Sequence, residues 1–310
     1  MPLLANLAQL VSFKARSRQM PMGLSEAARR DLSVIFDAAW YRTTYPDVVA
    51  AGADPLRHYL RNGAAEGRNP HTLFRSSWYL SAYPDVAEAG LNPLLHYVTD
   101  GAREGRSPHP LFDARHYLAL YPDVAAGAIN PLVHYLTHGA VEGREPHPLF
   151  DGAWYLADNP DVARRLQNPL VHFLTVGARQ GRRPMPLFEL GWYMDRHGED
   201  AVFAEGDPLS HYLGRQRTTP PNRYFDPAWY LEKYPSAAGS GLGPLDHYVR
   251  IGARDGLRPG PRFDGQWYRS THSDVRKAGI NPLTHFLLSG EGEGREPRPT
   301  ANVARVDVPR

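Results

Sequence analysis

The sequence predicts an all-α protein built as a solenoid or superhelical array of seven short-helix repeats, and three observations support this prediction. One unit of about 38 residues recurs seven times, with a single step of 37 residues. Capping residues and prolines return at the same places in most copies, where they begin and end short helices. An apolar face at helical spacing also returns, and stacking of neighbouring units buries such a face. The copies open at Phe36, Phe74, Phe112, Phe150, Phe188, Phe225 and Phe263.

The first part of each copy predicts two short helices. Asp37 stands three residues before Trp40, at the place where an aspartate caps the start of a helix. Pro46 ends this first helix at the preceding residue and occupies the first position of a second helix. Gly52 is then expected to end the second helix in the left-handed conformation. Equivalent residues are Asp113, Asp151, Asp226 and Asp264; Pro84, Pro122, Pro160 and Pro235; and Gly90 and Gly279.

A third helix is predicted from a capping residue followed by proline, as in Asp54-Pro55. We expect this helix to end at Gly67, with Gly63 as the alternative end. The same pair of residues stands at Asn92-Pro93, Asn130-Pro131, Asn168-Pro169, Asp207-Pro208, Gly243-Pro244 and Asn281-Pro282.

The segments that flank the repeats lack the shared pattern. We interpret residues 1–35 as a leader helix and a cap, 36–299 as the repeat array, and 300–310 as a flexible tail. The apolar stretch from Leu3 to Val11 is followed, not preceded, by basic residues, which is the wrong order for a signal peptide. We expect its apolar face to pack on the core. Peripheral contact with the inner membrane is the alternative, because Lys14, Arg16 and Arg18 stand beside that face.

The composition narrows the class of protein. The net charge is +2, from 35 basic and 33 acidic residues, so we expect no nucleic-acid partner. No apolar run approaches the roughly 20 residues of a membrane-spanning helix, which favours a cytoplasmic protein. There is no cysteine, so neither disulfides nor thiolate metal sites hold the fold.

Tryptophan and histidine each occupy a fixed position in the repeats, and we interpret both positions as structural. We expect the tryptophans to be buried, one tyrosine per unit to be exposed, and each histidine to bond a backbone carbonyl. The alternatives are aromatic platforms for sugar rings and a row of ligands or proton carriers. The tryptophans are Trp40, Trp78, Trp154, Trp192, Trp229 and Trp267, with His116 in the third copy; the histidines are His58, His96, His134, His172, His211, His247 and His285.

Each regular unit ends on a glutamate and an arginine, as in Glu66-Gly67-Arg68. We expect Arg68 to pair with Asp47 of the Pro-Asp-Val segment, within or between units, and so to fix the stacking. The alternative is a row of arginines that binds an acidic polysaccharide. The same acids and bases recur at Glu104, Glu142 and Glu293, at Arg106, Arg144 and Arg295, and at Asp85, Asp123 and Asp161.

No motif in the chain specifies catalysis, a cofactor or a metal. His134 and His138 stand four residues apart, a spacing that can share a metal ion, but no third ligand accompanies them. Phosphate-binding loops and hydrolase motifs do not occur. We therefore expect no catalytic, cofactor-binding or metal residues, and an enzyme acting on a glycan is the most distant alternative.

The fifth copy departs most from the shared pattern. Met194 to Asp200 replaces the Tyr-Pro-Asp segment, and Leu213 to Arg217 replaces the usual ending. This copy alone lacks the ending that the other copies share and carries Arg215 and Arg217 there instead. We therefore predict Arg215 and Arg217 as partner-binding residues.

The whole unit resembles a bacterial repeat. The resemblance rests on Phe112-Asp113, His116-Tyr117-Leu118, Tyr121-Pro122-Asp123-Val124, Asn130-Pro131-Leu132, His134-Tyr135-Leu136 and Gly139-Ala140-Val141-Glu142-Gly143-Arg144, and it covers Phe36 to Pro299. Similar repeats stand beside glycosyltransferase domains of cell-surface polysaccharide synthesis, including rhamnan-synthesis-like proteins, whereas we expect no such domain after Pro299 in this chain.

The resemblance implies a non-catalytic binding or scaffold protein of polysaccharide synthesis that docks a glycosyltransferase or another protein. Direct, lectin-like binding of glycan is the second hypothesis.

Overall fold

The computed structural model describes residues 23–204 and 206–299, and helices dominate these residues. The helices form repeated units of three, and no β-strand occurs in these two ranges beyond three isolated bridges. The prediction of an all-α protein made of about seven short-helix repeats is therefore confirmed. The predicted tail from residue 300 onward lies outside the described residues.

The first helix of each repeat begins where the capping aspartate predicts it. Asp37 accepts hydrogen bonds from the backbone N–H groups of Ala39 and Trp40, at 3.0 and 2.9 Å. Asp113 and Asp226 cap their helices in the same way. The first helices are Ala38–Thr44, Ser76–Ala82, Ala114–Leu120, Gly152–Asp158, Leu190–His197, Pro227–Lys233 and Gly265–Thr271.

The second helix starts on proline in five repeats and ends at a left-handed residue in six. Gly52, Gly90 and Gly279 have φ angles of 61°, 63° and 65°, as expected. Ala128 and Leu166 take the same conformation without the freedom of glycine, at 47° and 52°. The second helices are Pro46–Ala50, Pro84–Glu88, Pro122–Ala126, Pro160–Arg164, Glu199–Ala204, Pro235–Gly239 and Ser273–Ala278.

The third helix starts as an α-helix and, in six repeats, widens into a π-helical turn that ends at glycine. In repeat one the α-helical part is Pro55–His58 and the π-helical part Tyr59–Gly63, so Gly63 ends the helix. Gly67 closes the turn that follows, in the left-handed conformation. The other α-helical parts are Pro93–His96, Pro131–His134, Pro169–His172, Pro208–Leu213, Pro244–His247 and Pro282–His285; the other π-helical parts are Tyr97–Gly101, Tyr135–Gly139, Phe173–Gly177, Tyr248–Gly252 and Phe286–Gly290, and a 3₁₀ turn spans Ala178–Gln180.

Each repeat is closed by a backbone hydrogen bond between its two ends. The N–H of Asp37 donates to the carbonyl of Pro70 at 3.1 Å, and the N–H of Asp113 donates to Pro146 at 2.9 Å. The bond recurs in every repeat, as at Asp264 and Pro297. The linker that carries the proline is thereby held against the start of its own first helix.

One helix, Glu26–Ile35, precedes the repeats in the described residues. Its cap is Ser25, and it packs against the third helices of repeats two and three. Asp31 accepts a hydrogen bond from the side chain of Asn130 at 3.0 Å. The segment expected to form the leader helix, residues 1–22, lies outside the described residues.

The described residues form two compact units. One runs to His147 and also takes Asn159–Thr175; the other comprises Pro148–Asp158 and the residues from Val176 onward. Both units have the same core, made of the opening phenylalanines and of tyrosines from the first and third helices.

Candidate binding surface

In six repeats the histidine of the third helix bonds a tyrosine hydroxyl, not the backbone carbonyl that we expected. Tyr117 Oη lies 2.9 Å from His134 Nδ1, and the tyrosine is fully buried. Burial lowers the pKa of His134 and raises that of Tyr117, so both groups are uncharged near neutral pH. The same pair forms between Tyr41 and His58, Tyr79 and His96, Tyr193 and His211, Tyr230 and His247, and Tyr268 and His285, at 2.7–3.1 Å.

The glycine of the π-helical turn makes room for this hydroxyl. A Cβ atom added at Gly139 would overlap the hydroxyl oxygen of Tyr117. Gly63, Gly101, Gly252 and Gly290 approach the tyrosines of their own repeats equally closely. The histidine and glycine positions are thus occupied by internal packing, which supports a structural role for these six histidines.

The tryptophans are only partly buried, and not fully buried as we expected. Trp40 is half-buried, whereas its neighbour Tyr41 is fully buried, and the same holds in the other repeats. Adjacent residues on a helix point about 100° apart, so only one member of the pair faces the core. The tyrosine takes the core position because its hydroxyl finds a partner there. Part of each indole therefore stays at the surface, at Trp40, Trp78, Trp154, Trp192, Trp229 and Trp267.

The arginines that end the regular repeats are held inside their own units. Arg106 binds both carboxylate oxygens of Asp85, at 2.8 and 2.7 Å, and bonds Glu104 as well. Its guanidinium lies 4.9 Å from the ring centre of Tyr83. The hydrogen bonds from Arg106 lower the pKa of Asp85. The predicted pairing thus occurs, and it occurs within units.

Equivalent arginine clusters stand in three other repeats, at Arg68 with Asp47 and Glu66, at Arg144 with Asp123 and Glu142, and at Arg295 with Asp274 and Glu293. With their charges balanced internally, these four arginines are poorly placed to bind an acidic polysaccharide. These four repeats therefore do not present a row of free arginines.

A second set of arginines lies against the tryptophans. The guanidiniums of Arg183, Arg196 and Arg258 lie over the rings of Trp154, Trp192 and Trp229, with centroid distances of 5.9, 5.0 and 5.9 Å. In repeat three the same surface holds His116 and Glu145, with 3.8 Å between Nε2 of His116 and Oε2 of Glu145. Sequence reasoning missed these pairs. Arg183 and Arg258 directly follow the position of the cluster arginine, and this register was the available signal.

Repeat five carries a cleft of about 140 Å³. Trp192 and Arg196 of its first helix form one wall, and Arg223, Tyr224 and Arg262 contribute to the rest. Further lining residues are Pro220, Asn222, Phe225, Asp226 and Pro261.

Tyr224 and Arg223 fix one side of this cleft. Tyr224 donates a hydrogen bond to Glu291 at 2.8 Å, and burial together with that carboxylate raises the pKa of Tyr224 to about 12. Arg223 lies 3.7 Å from Glu189 and 3.6 Å from Glu291. The phenol therefore keeps its proton at neutral pH and stays bonded to Glu291.

The predicted partner-binding residues of repeat five do not line this cleft. Arg215 and Arg217 are both exposed, in the turns that follow the third helix. Arg215 reaches back to the carbonyl of His211 at 3.5 Å.

The described residues contain no group of three or more histidine, aspartate or glutamate side chains arranged to hold a metal ion. The rings of His134 and His138 are 5.8 Å apart, and His138 Nδ1 lies 2.8 Å from the hydroxyl of Thr137. His134 is engaged by Tyr117. In the part of the chain that the structure describes, no helix has the length and apolar character needed to cross a membrane.

Comparisons of the chain with protein-family models, with curated proteins and with solved structures gave no match.

Proposed function

We propose that this chain is a non-catalytic binding protein of a bacterial cell-surface polysaccharide system and that its repeats bind polysaccharide directly. The observation that carries the proposal is the partly exposed tryptophan at one fixed position in six repeats. Buried tryptophans would have favoured a purely structural role. A partly exposed indole offers a flat apolar face to the C–H surface of a sugar ring.

The repetition itself supports a polymeric ligand. One site per repeat gives many weak contacts along a chain, and linked contacts raise the overall affinity without any single strong site. In repeats four to six, an arginine beside the tryptophan adds hydrogen-bond donors for sugar hydroxyls or acids.

The test replaces a tryptophan with the residue that this fold already accepts at that position. Because His116 stands there in repeat three, Trp154→His is expected to preserve folding while it removes the indole. Trp154→Ala is expected to lower stability by about 2 kcal/mol, roughly half the cost for a fully buried tryptophan.

Binding of purified bacterial polysaccharides is measured by affinity electrophoresis for the wild type, for Trp154→His, and for a variant with histidine at all six tryptophans. We expect binding to weaken with each replacement while the melting temperature changes little. Equal binding by the wild type and the six-fold variant would contradict the proposal.

Docking of a glycosyltransferase or another protein is the second candidate. Leu91, Ile129 and Ile280 stand at one position, before the cap of the third helix, and each is 42–49 % exposed. Repeated exposed aliphatic side chains are typical of protein contacts. Replacement of Leu91 and Ile129 by serine should abolish capture of a transferase and leave polysaccharide binding unchanged.

The predicted partner-binding residues Arg215 and Arg217 are tested with the same two ligands, polysaccharide and transferase. Their joint replacement by alanine should cost no more than about 0.5 kcal/mol of stability, as is usual for surface changes. It should weaken capture of the polysaccharide or the transferase in a pull-down, and full retention of both would remove these residues from the proposal.

We further propose a cytoplasmic location and no chemical activity. The lack of cysteine is compatible with a reducing compartment. Cell fractionation tests the location, and turnover of a nucleotide-sugar or a glycan by the purified chain would overturn the binding role.

A further inference from the structure

The cleft of repeat five is lined by more basic than acidic side chains. Three arginines line it, at Arg196, Arg223 and Arg262, against the single carboxylate of Asp226. That carboxylate is engaged as a helix cap, where it accepts a hydrogen bond from the N–H of Trp229 at 3.0 Å. The lining therefore has an excess of positive charge.

Two of these arginines keep free donors. Among the residues that the structure describes, neither Arg196 nor Arg262 forms an ion pair, and Arg196 only lies over the ring of Trp192. Arg223 reaches its nearest carboxylates at 3.6 and 3.7 Å, which is longer than a hydrogen bond. By contrast, the arginines that end the regular repeats donate their hydrogen bonds to aspartate and glutamate, as Arg106 does.

Arg262 itself is an unusual residue for its position. In four other repeats a leucine that is at most 2 % exposed stands directly before the opening phenylalanine, at Leu73, Leu111, Leu149 and Leu187. Arg262 stands there in repeat seven and is exposed. The cleft thus gains a charged group where the pattern elsewhere places a buried aliphatic side chain.

The walls and size of the cleft define what it admits. The half-buried ring of Trp192 and the rings of Pro220 and Pro261 give flat apolar surfaces. The amide of Asn222 is occupied, because it donates to the carbonyl of Leu187 and accepts from the N–H groups of Tyr224 and Phe225. A volume of about 140 Å³ is well below that of sites for drug-sized ligands and suits a single ring.

We propose that this cleft binds one carboxylate-bearing sugar ring, a hexuronate unit of an acidic polysaccharide, with Trp192 against the ring and Arg196 and Arg262 on the carboxylate. Guanidinium groups bind carboxylates through paired, charge-assisted hydrogen bonds. The proposal rests on the proposed function, since it names the kind of sugar that one site of a polysaccharide-binding chain selects.

The experiment compares two variants of the full chain that carry related charge changes. Arg196→Ala combined with Arg262→Ala removes both free guanidiniums from the cleft. Arg276→Ala, an exposed arginine that does not line the cleft, is the control. Circular dichroism and melting curves check that each variant is folded. Binding of a hexuronate tetrasaccharide and of its carboxyl-reduced, neutral counterpart is measured by calorimetry.

We expect the wild type to prefer the acidic tetrasaccharide, and the double variant to lose about tenfold or more in affinity for it, because two charge-assisted hydrogen-bonded contacts are lost. The Arg276→Ala variant should bind like the wild type. In spectra of the indole N–H groups, the resonance assigned through Trp192→Phe should shift on addition of the acidic ligand.

Three results would overturn the proposal: no binding of the acidic ligand by the wild type, equal affinity for the acidic and neutral ligands, or unchanged affinity in the double variant. If the chain still bound a neutral polysaccharide through its tryptophans, the proposed function would stand and only the hexuronate site would fall. If Trp154→His and the six-fold variant also lost nothing, both would fall.

Discussion

Repeats three and five share one core and present different surfaces. In repeat three, Gly139 ends a π-helical turn and the arginine cluster around Arg144 is complete. In repeat five, Gln216 stands where the sequence register places that glycine, and the third helix stays α-helical from Pro208 to Leu213. Both repeats nevertheless keep the tyrosine–histidine hydrogen bond, at 2.9 and 2.7 Å.

The comparison of repeats three and five separates the contacts that fold a unit from the features of its surface. The tyrosine–histidine pair and the cap of the third helix remain in both repeats, so they define the unit. The π-helical turn and the arginine cluster are absent from repeat five. Its arginine at this surface lies instead over Trp192. Loss of the internal ion pairs therefore goes together with a surface that is available to a ligand.

The largest expected effect comes from the glycine of the π-helical turn. Gly139→Ala pushes a methyl group into the hydroxyl of Tyr117 and breaks its bond to His134. The overpacking and the lost hydrogen bond together should cost about 4 kcal/mol of unfolding free energy. Urea denaturation of the purified variant measures this.

Gly214→Ala in repeat five is the matched control. A Cβ atom there would meet its nearest neighbour, the carbonyl oxygen of His211, at an ordinary 3.7 Å. The change should be neutral or slightly stabilising. Equal costs for the two alanines would show that the two third helices do not differ as described.

The linkers of the early repeats should make them sensitive to acid. His71 Nδ1 accepts a hydrogen bond from the N–H of Leu73, and burial lowers the pKa of His71 to about 4, against an ordinary 6.5. The folded state therefore binds fewer protons than the unfolded state between these values. The resulting stability is complete above pH 6.5 and is lost as the pH falls towards 4, by up to about 3 kcal/mol.

Asn222 shows how to remove this sensitivity. It stands in the equivalent linker before repeat six and accepts the same type of hydrogen bond, from the N–H of Tyr224 at 2.9 Å. His71→Asn should move the acid-unfolding midpoint to lower pH and change stability little at pH 8. An unchanged midpoint would mean that another group controls acid unfolding.

A smaller and opposite effect is expected at the end of a second helix in repeat four. Leu166 is 73 % exposed and holds a φ of 52°, a conformation that costs a residue with a side chain about 1 kcal/mol. Leu166→Gly should raise the unfolding free energy by that amount. The reciprocal change Gly90→Leu, at a φ of 63°, should lower it equally. Thermal melts measure both variants. Melting temperatures that shift in the same direction would contradict the proposed backbone strain at Leu166.

The smallest effect should follow from removal of an arginine cluster. Repeat six has Ser236 and Leu257 at the positions of Asp123 and Arg144, so the fold tolerates both replacements together. The double variant Asp123→Ser, Arg144→Leu should melt slightly below the wild type. The difference should shrink in high salt, because the pair is near the surface. A large, salt-independent loss would assign the cluster to the core.

Local signals in the sequence predicted the helix boundaries well, because caps and prolines act within a few residues. Asp37 and Asp54 begin their helices as expected. The choice between Trp40 and Tyr41 for the core could not be predicted in the same way, since both are large aromatic residues at neighbouring positions. That choice depends on His58, which is 17 residues from Tyr41. Only the shared identity of tyrosine in all seven copies hinted at it.

The candidate surface was less predictable than the fold. The recurring acids and bases predict Asp47 as the partner of Arg68, but their spacing does not decide whether the pair forms within or between units. The contact of Arg196 with Trp192 follows from a spacing of four residues on one helix, a relation hidden by the irregular sequence around it. The cleft is formed by three separate stretches of the chain, and no local sequence pattern predicts that they lie together.

The backbone bond that closes each repeat has a consequence for how the chain reaches its structure. Asp113 and Pro146 are joined across 33 residues, and every other repeat is closed over a similar separation. The entropy lost in closing such a loop is the same for each unit and does not grow with the number of units. Since ordering can start in any unit and spread to its neighbours, the rate at which the chain folds should depend weakly on its length. A unit gained or lost by duplication or deletion of DNA therefore leaves the folding route of the others intact.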